Sequence, residues 1–315
     1  MVVRRRSTGQ GVAGKFDVGP SAKPRVMSTD RQVVGLRIDE ALRGEAPSEG
    51  PLDLSDLVGV WVNTDQHITA RVLRMVLSER DGRLCVRAFG VGDTEPHDWG
   101  EVEATALARG VSDRRAWGFW CRFELDSITT DVAAYFNQGI VVIGSYNSFG
   151  PSSGRADYWK REFFHGENLQ APAATSEAAT NGEFSYAHDR FEGGRPVRPA
   201  IDLAPLRGRW VGFTDGLTGL TSFELDGEHG SFQIRARGSG SPEPPDWGTA
   251  PARVYADDVG RQEAFAFRAR YDHGYENVEI FGYLNRRVLI AELATAFTDG
   301  SGRSEYFTRT FYYCR

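Results

Sequence analysis

One carboxylate is conspicuous for the company it keeps. Glu292 interrupts the apolar run Val288-Leu289-Ile290-Ala291-Glu292-Leu293-Ala294. On an inward face, desolvation would raise its pKa and make it a general acid or base. On an outward face, or beside an arginine, it would be an ordinary paired carboxylate. The second group able to do chemistry is aromatic. Trp61, Trp99, Trp117, Trp210 and Trp247, with Tyr135, Tyr271, Tyr283 and the amide of Asn63, can wall a ligand and hydrogen-bond it. The same residues have a structural use, with Trp61 and Trp210 as plugs and the Tyr135-x-Asn137 and Tyr283-x-Asn285 pairs as hairpin anchors. A third group is charged: Arg122-x-Glu124 and Arg270-x-Asp272 suit either an ion-pair ladder or a guanidinium cluster for a carboxylate or phosphate.

Other chemistries lack their residues. The histidines His67, His97, His165, His188, His229 and His273 are scattered without metal-ligand spacing, so no metal is expected. No G-x-S-x-G, P-loop or G-x-G-x-x-G stands between a strand and a helix, so neither nucleophilic hydrolysis nor nucleotide binding has support. No cofactor is implied.

These residues are positioned by a repeat. Shifted by 148 positions, Gly82–Phe164 falls on Gly230–Tyr312 without a gap, and 25 of the 83 pairs are identical. Arg87-Ala88-x-Gly90 recurs as Arg235-Ala236-x-Gly238, Asp98-Trp99-Gly100 as Asp246-Trp247-Gly248, and Ser153-Gly154-Arg155 as Ser301-Gly302-Arg303. Within each copy, short β-branched and aromatic runs alternate with Gly, Asp and Asn turns. The first copy predicts eight strands: Leu57–Asn63, Ile68–Leu77, Arg83–Gly90, Trp99–Leu107, Ala116–Leu125, Thr129–Phe136, Gly139–Tyr146 and Arg155–Phe164. The second predicts eight more, from Leu206–Phe213 to Ser304–Tyr312. Closing each sheet leaves no unpaired edge. The expected fold is therefore all-β, two tandem eight-stranded antiparallel barrels, over residues 51–166 and 201–315.

Gly59-Val60-Trp61-Val62-Asn63 resembles the G-x-W opening strand of calycin-type barrels, the lipocalins and avidins, and its Asn resembles the avidin first strand. Gly208-Arg209-Trp210 repeats the motif with Gly212 in place of the Asn. The resemblance covers one strand per copy and implies the barrel fold, not an activity. On the fifth strand Trp117, Phe119, Cys121 and Phe123, matched by Phe265, Phe267, Ala269 and Tyr271, are expected to face inward. Arg122 and Arg270 on the other face are expected to ladder with Arg87, Arg235, Arg161 or Arg309 and their neighbouring acids. On the seventh strand Ile140, Val142, Gly144 and Tyr146 become Val288, Ile290, Glu292 and Ala294, and a pocket is expected where the copies disagree.

The chain of 315 residues has a net charge of −6, which argues against a nucleic-acid partner. No apolar run approaches the ~18–20 residues that span a bilayer, so no membrane is expected. Cys85, Cys121 and Cys314 form no metal or disulfide pattern and point to reduced thiols in the cytoplasm. Residues 1–26 read as a disordered basic tail, with Met27 a second candidate start, and 27–50 as a short helix and linker. Residues 167–200 read as a second linker.

Three functional readings stay open. The first is binding of a small, largely apolar organic ligand in one or both barrels. The second is a cyclase or isomerase that uses the barrel as a shape-selective chamber with Glu292 as acid or base. The third is a protein-interaction scaffold with filled barrels. The ligand and the oligomeric state are not written in the sequence.

Overall fold

The computed structural model describes residues 51–65, 71–92, 95–150, 153–167, 200–214, 219–228, 231–239 and 245–315. The expected tail, helix and first linker, most of the second linker, and Ile68, His67, His188 and His229 lie outside the described residues. The first barrel contains β1 (Gly59–Asn63), β2 (Val72–Arg80), β3 (Arg83–Gly90), β4 (His97–Leu107), β5 (Gly118–Leu125), β6 (Ile128–Asn137), β7 (Ile140–Phe149) and β8 (Tyr158–Glu167). The second contains β9 (Gly208–Gly212), β10 (Leu220–Glu228), β11 (Ser231–Gly238), β12 (Asp246–Tyr255), β13 (Ala266–Asp272), β14 (Glu276–Asn285), β15 (Val288–Phe297) and β16 (Tyr306–Cys314). Each strand pairs antiparallel with the next, and β8 returns to β1 as β16 returns to β9, so both sheets close.

Local chemistry explains the register. Asp81-Gly82 and Gln138-Gly139 take positive φ at both positions (51° and 75°, 51° and 90°). This is the mirror-image turn whose twist matches a hairpin. The two repeated motifs make one device. The Arg87 guanidinium pairs with Asp98 across a bulge between β3 and β4, and Asp98 also accepts the Gly100 amide. Arg235, Asp246 and Gly248 reproduce it between β11 and β12. Gly100 and Gly248 sit at φ 80° and 78°, where a side chain would be strained.

Every strand contributes to its own barrel's core. In the first barrel Trp61, Leu77, Val86, Trp99, Phe119, Phe123, Val132, Ile143 and Phe164 pack together; in the second the cluster includes Trp210, Phe223, Ile234, Val254, Phe267, Ile280, Leu293 and Tyr312. Both plugging indoles are tethered, Trp61 Nε1 to the Leu57 carbonyl at 2.7 Å and Trp210 Nε1 to the Leu206 carbonyl at 2.8 Å. Phe119, Cys121 and Phe123 face inward as expected, and so do Phe267, Ala269 and Tyr271. Trp117 and Phe265 do not. They precede their strands and pack between the barrels.

That shared layer is the feature that period-2 reading missed. Leu107, Ala133, Tyr135, Val142, Tyr146 and Trp159 of the first barrel bury against Tyr255, Phe281, Tyr283, Ile290, Ala294 and Phe307 of the second. The contacts occur in exchanged pairs. Trp159 stacks on Tyr283 (ring centroids 4.5 Å apart) and Phe307 on Tyr135 (5.8 Å). Ala108 bridges to Tyr306 as Ala256 bridges to Tyr158. Ser304 N donates to the Val111 carbonyl at 3.0 Å, and Ala156 N donates to the Val259 carbonyl at 3.2 Å. Exchange of roles is what a two-fold axis imposes on an interface, so the barrels are related by a pseudo-two-fold. No helix among the described residues is long and apolar enough to cross a membrane.

Candidate functional site

Glu292 does not face the barrel interior. Leu289, Ala291 and Leu293 point inward on β15, and Ile290, Glu292 and Ala294 point into the layer between barrels. The equivalent face of β7, with Val142, Gly144 and Tyr146, does the same, so of the two alternatives for Glu292 the inward one fails and the one beside an arginine holds. The reason is physical: β7 and β15 are buried on both faces, so both faces are apolar and alternation cannot tell them apart. Glu292 is 2% exposed. The Tyr283 hydroxyl donates to its Oε1 at 3.4 Å, and Arg309 Nε lies 3.3 Å from the same oxygen. Desolvation pushes its carboxyl up to about 7, and Arg309 and Arg161 oppose that rise. Beside it the buried Tyr146 hydroxyl is pushed well above its ordinary range, first by burial and then by the Glu292 charge.

Tyr135 and Tyr283 belong to this layer too. Arg161 Nη2 donates to the Tyr135 hydroxyl at 2.9 Å and Arg309 Nη2 to the Tyr283 hydroxyl at 3.1 Å. Each guanidinium also lies over the tyrosine ring of the opposite barrel. The structure therefore gathers Glu292, Tyr135, Tyr283 and Trp117 at one place, between the barrels. It leaves Trp61 and Trp210 in the two cores and puts Trp99 and Trp247 at the opposite ends of those cores. Trp99 packs edge-on against Phe123; Trp247 packs against Tyr271 and His273. The Tyr271 hydroxyl donates to the Ile234 carbonyl at 2.8 Å, a use inside the wall of the second barrel.

Arg122 and Arg270 find partners other than those expected. Arg122 pairs with Asp131 and Arg270 with Glu279, each directly across its hairpin, because the strands that carry Arg87, Arg161, Arg235 and Arg309 are not neighbours of β5 or β13.

Sequence comparison passed over a cluster inside the first barrel. Asn63, which ends β1, donates to the Val72 carbonyl at 2.6 Å and to Glu162 Oε1 at 3.0 Å. Glu162 Oε1 accepts the Arg71 amide at 2.7 Å. The Arg71 guanidinium, fully buried, donates to the Tyr158 hydroxyl and to Thr130 Oγ1, both at 2.7 Å, and lies over the rings of Trp99 and Tyr158. Thr130 continues to Asn147 at 3.0 Å. Burial lifts the Glu162 carboxyl to about 7, against the backbone amides of Arg71 and Val72 that favour its charge. Lys160 is on the same inward row of β8, between Tyr158 and Glu162, and is only half-buried. The second barrel carries Gly212, Gly219, Val278, Thr295 and Thr310 at the places of Asn63, Arg71, Thr130, Asn147 and Glu162. The available signal was that list of inward differences on β6, β7 and β8.

Three clefts lined by described residues open on the outside of the barrels. One of about 380 Å3 runs between them beside Arg122, Arg253, Arg268 and Arg270. One of about 580 Å3 adjoins it beside Ser148 and Arg155, and one of about 400 Å3 lies by Leu84 and Arg303. Among the described residues no group of three or more His, Cys, Asp or Glu side chains is placed to hold a metal. No protein-family model matches the chain, and no curated protein matches it in sequence.

Proposed function

We propose that the protein is a small-molecule binding protein and that its first barrel takes the ligand at the end holding Asn63, Arg71, Trp99, Tyr158 and Glu162. The observation that carries this reading is the inward polar cluster present in one copy and absent from the other. Buried charge is costly unless fully hydrogen-bonded, and an apolar filling of the same volume is commonly as stable or more so. The second barrel has smaller, uncharged residues at the equivalent places. A cluster kept against that cost suits recognition of a ligand's polar head, while Trp99 and Phe123 suit an apolar, flat body. Membership of the lipocalin- and avidin-like barrels belongs to the same proposal, with the eight-stranded closure and the Trp61 and Trp210 plugs in its support.

Native mass spectrometry of the full chain purified from its own host tests the reading. One small molecule per chain is expected, lost in Asn63→Leu and retained in Thr295→Val of the second barrel. A bare chain mass, or loss only in the second-barrel variant, overturns it. Glu162, held near neutrality, favours a second reading as an isomerase or cyclase. In that case Glu162→Gln keeps the ligand and stops its conversion. This reading moves the acid–base role from Glu292, which is sealed between barrels, to Glu162.

A further inference from the structure

The cleft of about 380 Å3 between the barrels is lined by Arg122, Glu124, Thr129, Asp131 and Ser148 from one side and by Arg253, Tyr255, Arg268, Arg270 and Glu279 from the other. We propose that it binds a small multiply charged anion, such as a phosphate ester or a polycarboxylate.

Three observations carry the inference. The charges are layered. Apart from Glu124, which is exposed, the carboxylates form the floor, with Asp131, Glu279 and the neighbouring Asp157 having side chains 2%, 5% and 0% exposed. The guanidinium groups form the rim, with Arg122, Arg253 and Arg270 44%, 48% and 58% exposed. Each rim arginine spends only part of its five-donor fork on the floor. Arg253 binds Asp157 through Nε at 2.6 Å, and Arg270 reaches Glu279 only at 3.6 Å. A planar fork with N–H groups turned to solvent is the geometry that takes phosphate or carboxylate oxygens in pairs.

The second observation is rigidity. Arg268 ties the floor together from the opposite barrel, pairing with Asp131 of the first barrel and with Glu279 of its own at 3.0 Å. The floor beneath the rim is therefore fixed before any anion arrives, which lowers the ordering cost of binding.

The third is asymmetry. Arg253, Arg268, Tyr255 and Ser148 correspond to Thr105, Trp120, Leu107 and Ala296 in the other copy. Four polar groups converge on one side of the pseudo-two-fold, and their apolar or shorter mates sit on the other. A merely structural interface needs no such one-sidedness. The adjoining cleft of about 580 Å3 shares Thr129, Ser148 and Arg253 and adds Arg155, so the site has room for an anion with a body attached.

The test is calorimetric titration of the full chain with pyrophosphate and, separately, with citrate at fixed ionic strength. Saturable one-to-one binding of at least one is expected, weakened about tenfold by Arg270→Ala and by Arg253→Lys. Arg253→Lys keeps the charge over buried Asp157, so circular dichroism matching the wild type is expected to accompany the loss. Arg83→Ala, a similarly exposed arginine paired with Glu103 in the separate cleft by Leu84 and Arg303, is expected to change nothing. Pyrophosphate alone binding identifies the phosphate chemistry, and citrate alone the carboxylate. No binding of either probe, or an equal loss in Arg83→Ala, overturns the proposal.

Discussion

Replacing Glu292 with glutamine should remove a large part of the pH dependence of stability. The group titrates near 4.5 when exposed and at about 7 in the folded chain, because burial between the barrels disfavours its charge more than Arg309 and Arg161 favour it. The folded state thus holds its proton more tightly than the unfolded state. Stability is then greatest below pH ~4.5, falls as pH rises to about 7, and is flat above that. Roughly 2.5 pH units at ~1.4 kcal/mol each gives a loss of about 3 kcal/mol from this one residue. Glu162 moves in the same direction, also to about 7, and should contribute a similar amount.

The measurement is urea unfolding of wild type, Glu292→Gln, Glu162→Gln and the double variant at pH 5, 6, 7 and 8. Near pH 5 Glu292→Gln should resemble the wild type. At pH 8 it should be more stable by up to about 3 kcal/mol, less whatever the amide fails to recover from Arg309. The double variant should be flatter from pH 5 to 8 than either single variant, with the half-buried Glu305 carboxyl, also raised by desolvation, left to contribute. An undiminished pH slope in Glu292→Gln would refute the reasoning. A variant less stable than the wild type at pH 8 would show that pairing with Arg309 outweighs desolvation.

Two further outcomes follow from the architecture. Residues 51–167 and 200–315, made separately, should each unfold cooperatively, because each closes its own core, and should then recombine one to one on mixing. Size-exclusion chromatography that finds no complex would mean the aromatic layer does not hold the barrels together. Under native conditions a maleimide should label Cys314 and leave Cys121 untouched, because Cys314 is exposed while burial pushes the Cys121 thiol far up. Mass spectrometry of the digested protein reads this directly, and rapid labelling of Cys121 would contradict the closed first barrel.

The strands were legible because each run in the first copy has a counterpart in the second, and because turns such as Asp81-Gly82 and Gln138-Gly139 have one backbone solution. The inward face of β5 was legible for a similar reason: its outward face carries Arg122 and Glu124. The faces of β7 and β15 were not. Two neighbours, the core and the other barrel, bury them, and apolar residues on both faces erase the period. That is why the face of Glu292 stayed open in the sequence, while Trp117 was placed inward by extending the alternation of β5 to a residue that precedes the strand. The Arg71 cluster was missed for another reason, although the inward differences on β6, β7 and β8 hinted at it. Arg71 lies just before β2, and only the closed register brings it against Glu162, 91 positions later.

The exchanged contacts between the barrels have the form of a homodimer interface whose two halves now lie in one chain. In a true homodimer every substitution appears on both sides of the axis. Joining the copies removes that restriction, and the interface uses the freedom. A Cβ on Gly144 would lie 3.0 Å from Trp159 Nε1, so the larger indole has claimed the space of a side chain. At the equivalent place the smaller Phe307 accompanies Glu292. Glycine with tryptophan on one side and glutamate with phenylalanine on the other are complementary fillings of one volume. Two copies of the glutamate would put two buried carboxylates at the centre of one aromatic layer, and desolvation would act twice. The same freedom explains the outer cleft, where Arg268 stands in place of Trp120, and the first barrel, where Glu162 stands in place of Thr310. Pseudo-symmetry thus accounts for the fold, and each departure from it that buries a charge marks a position released from structural duty in one copy only.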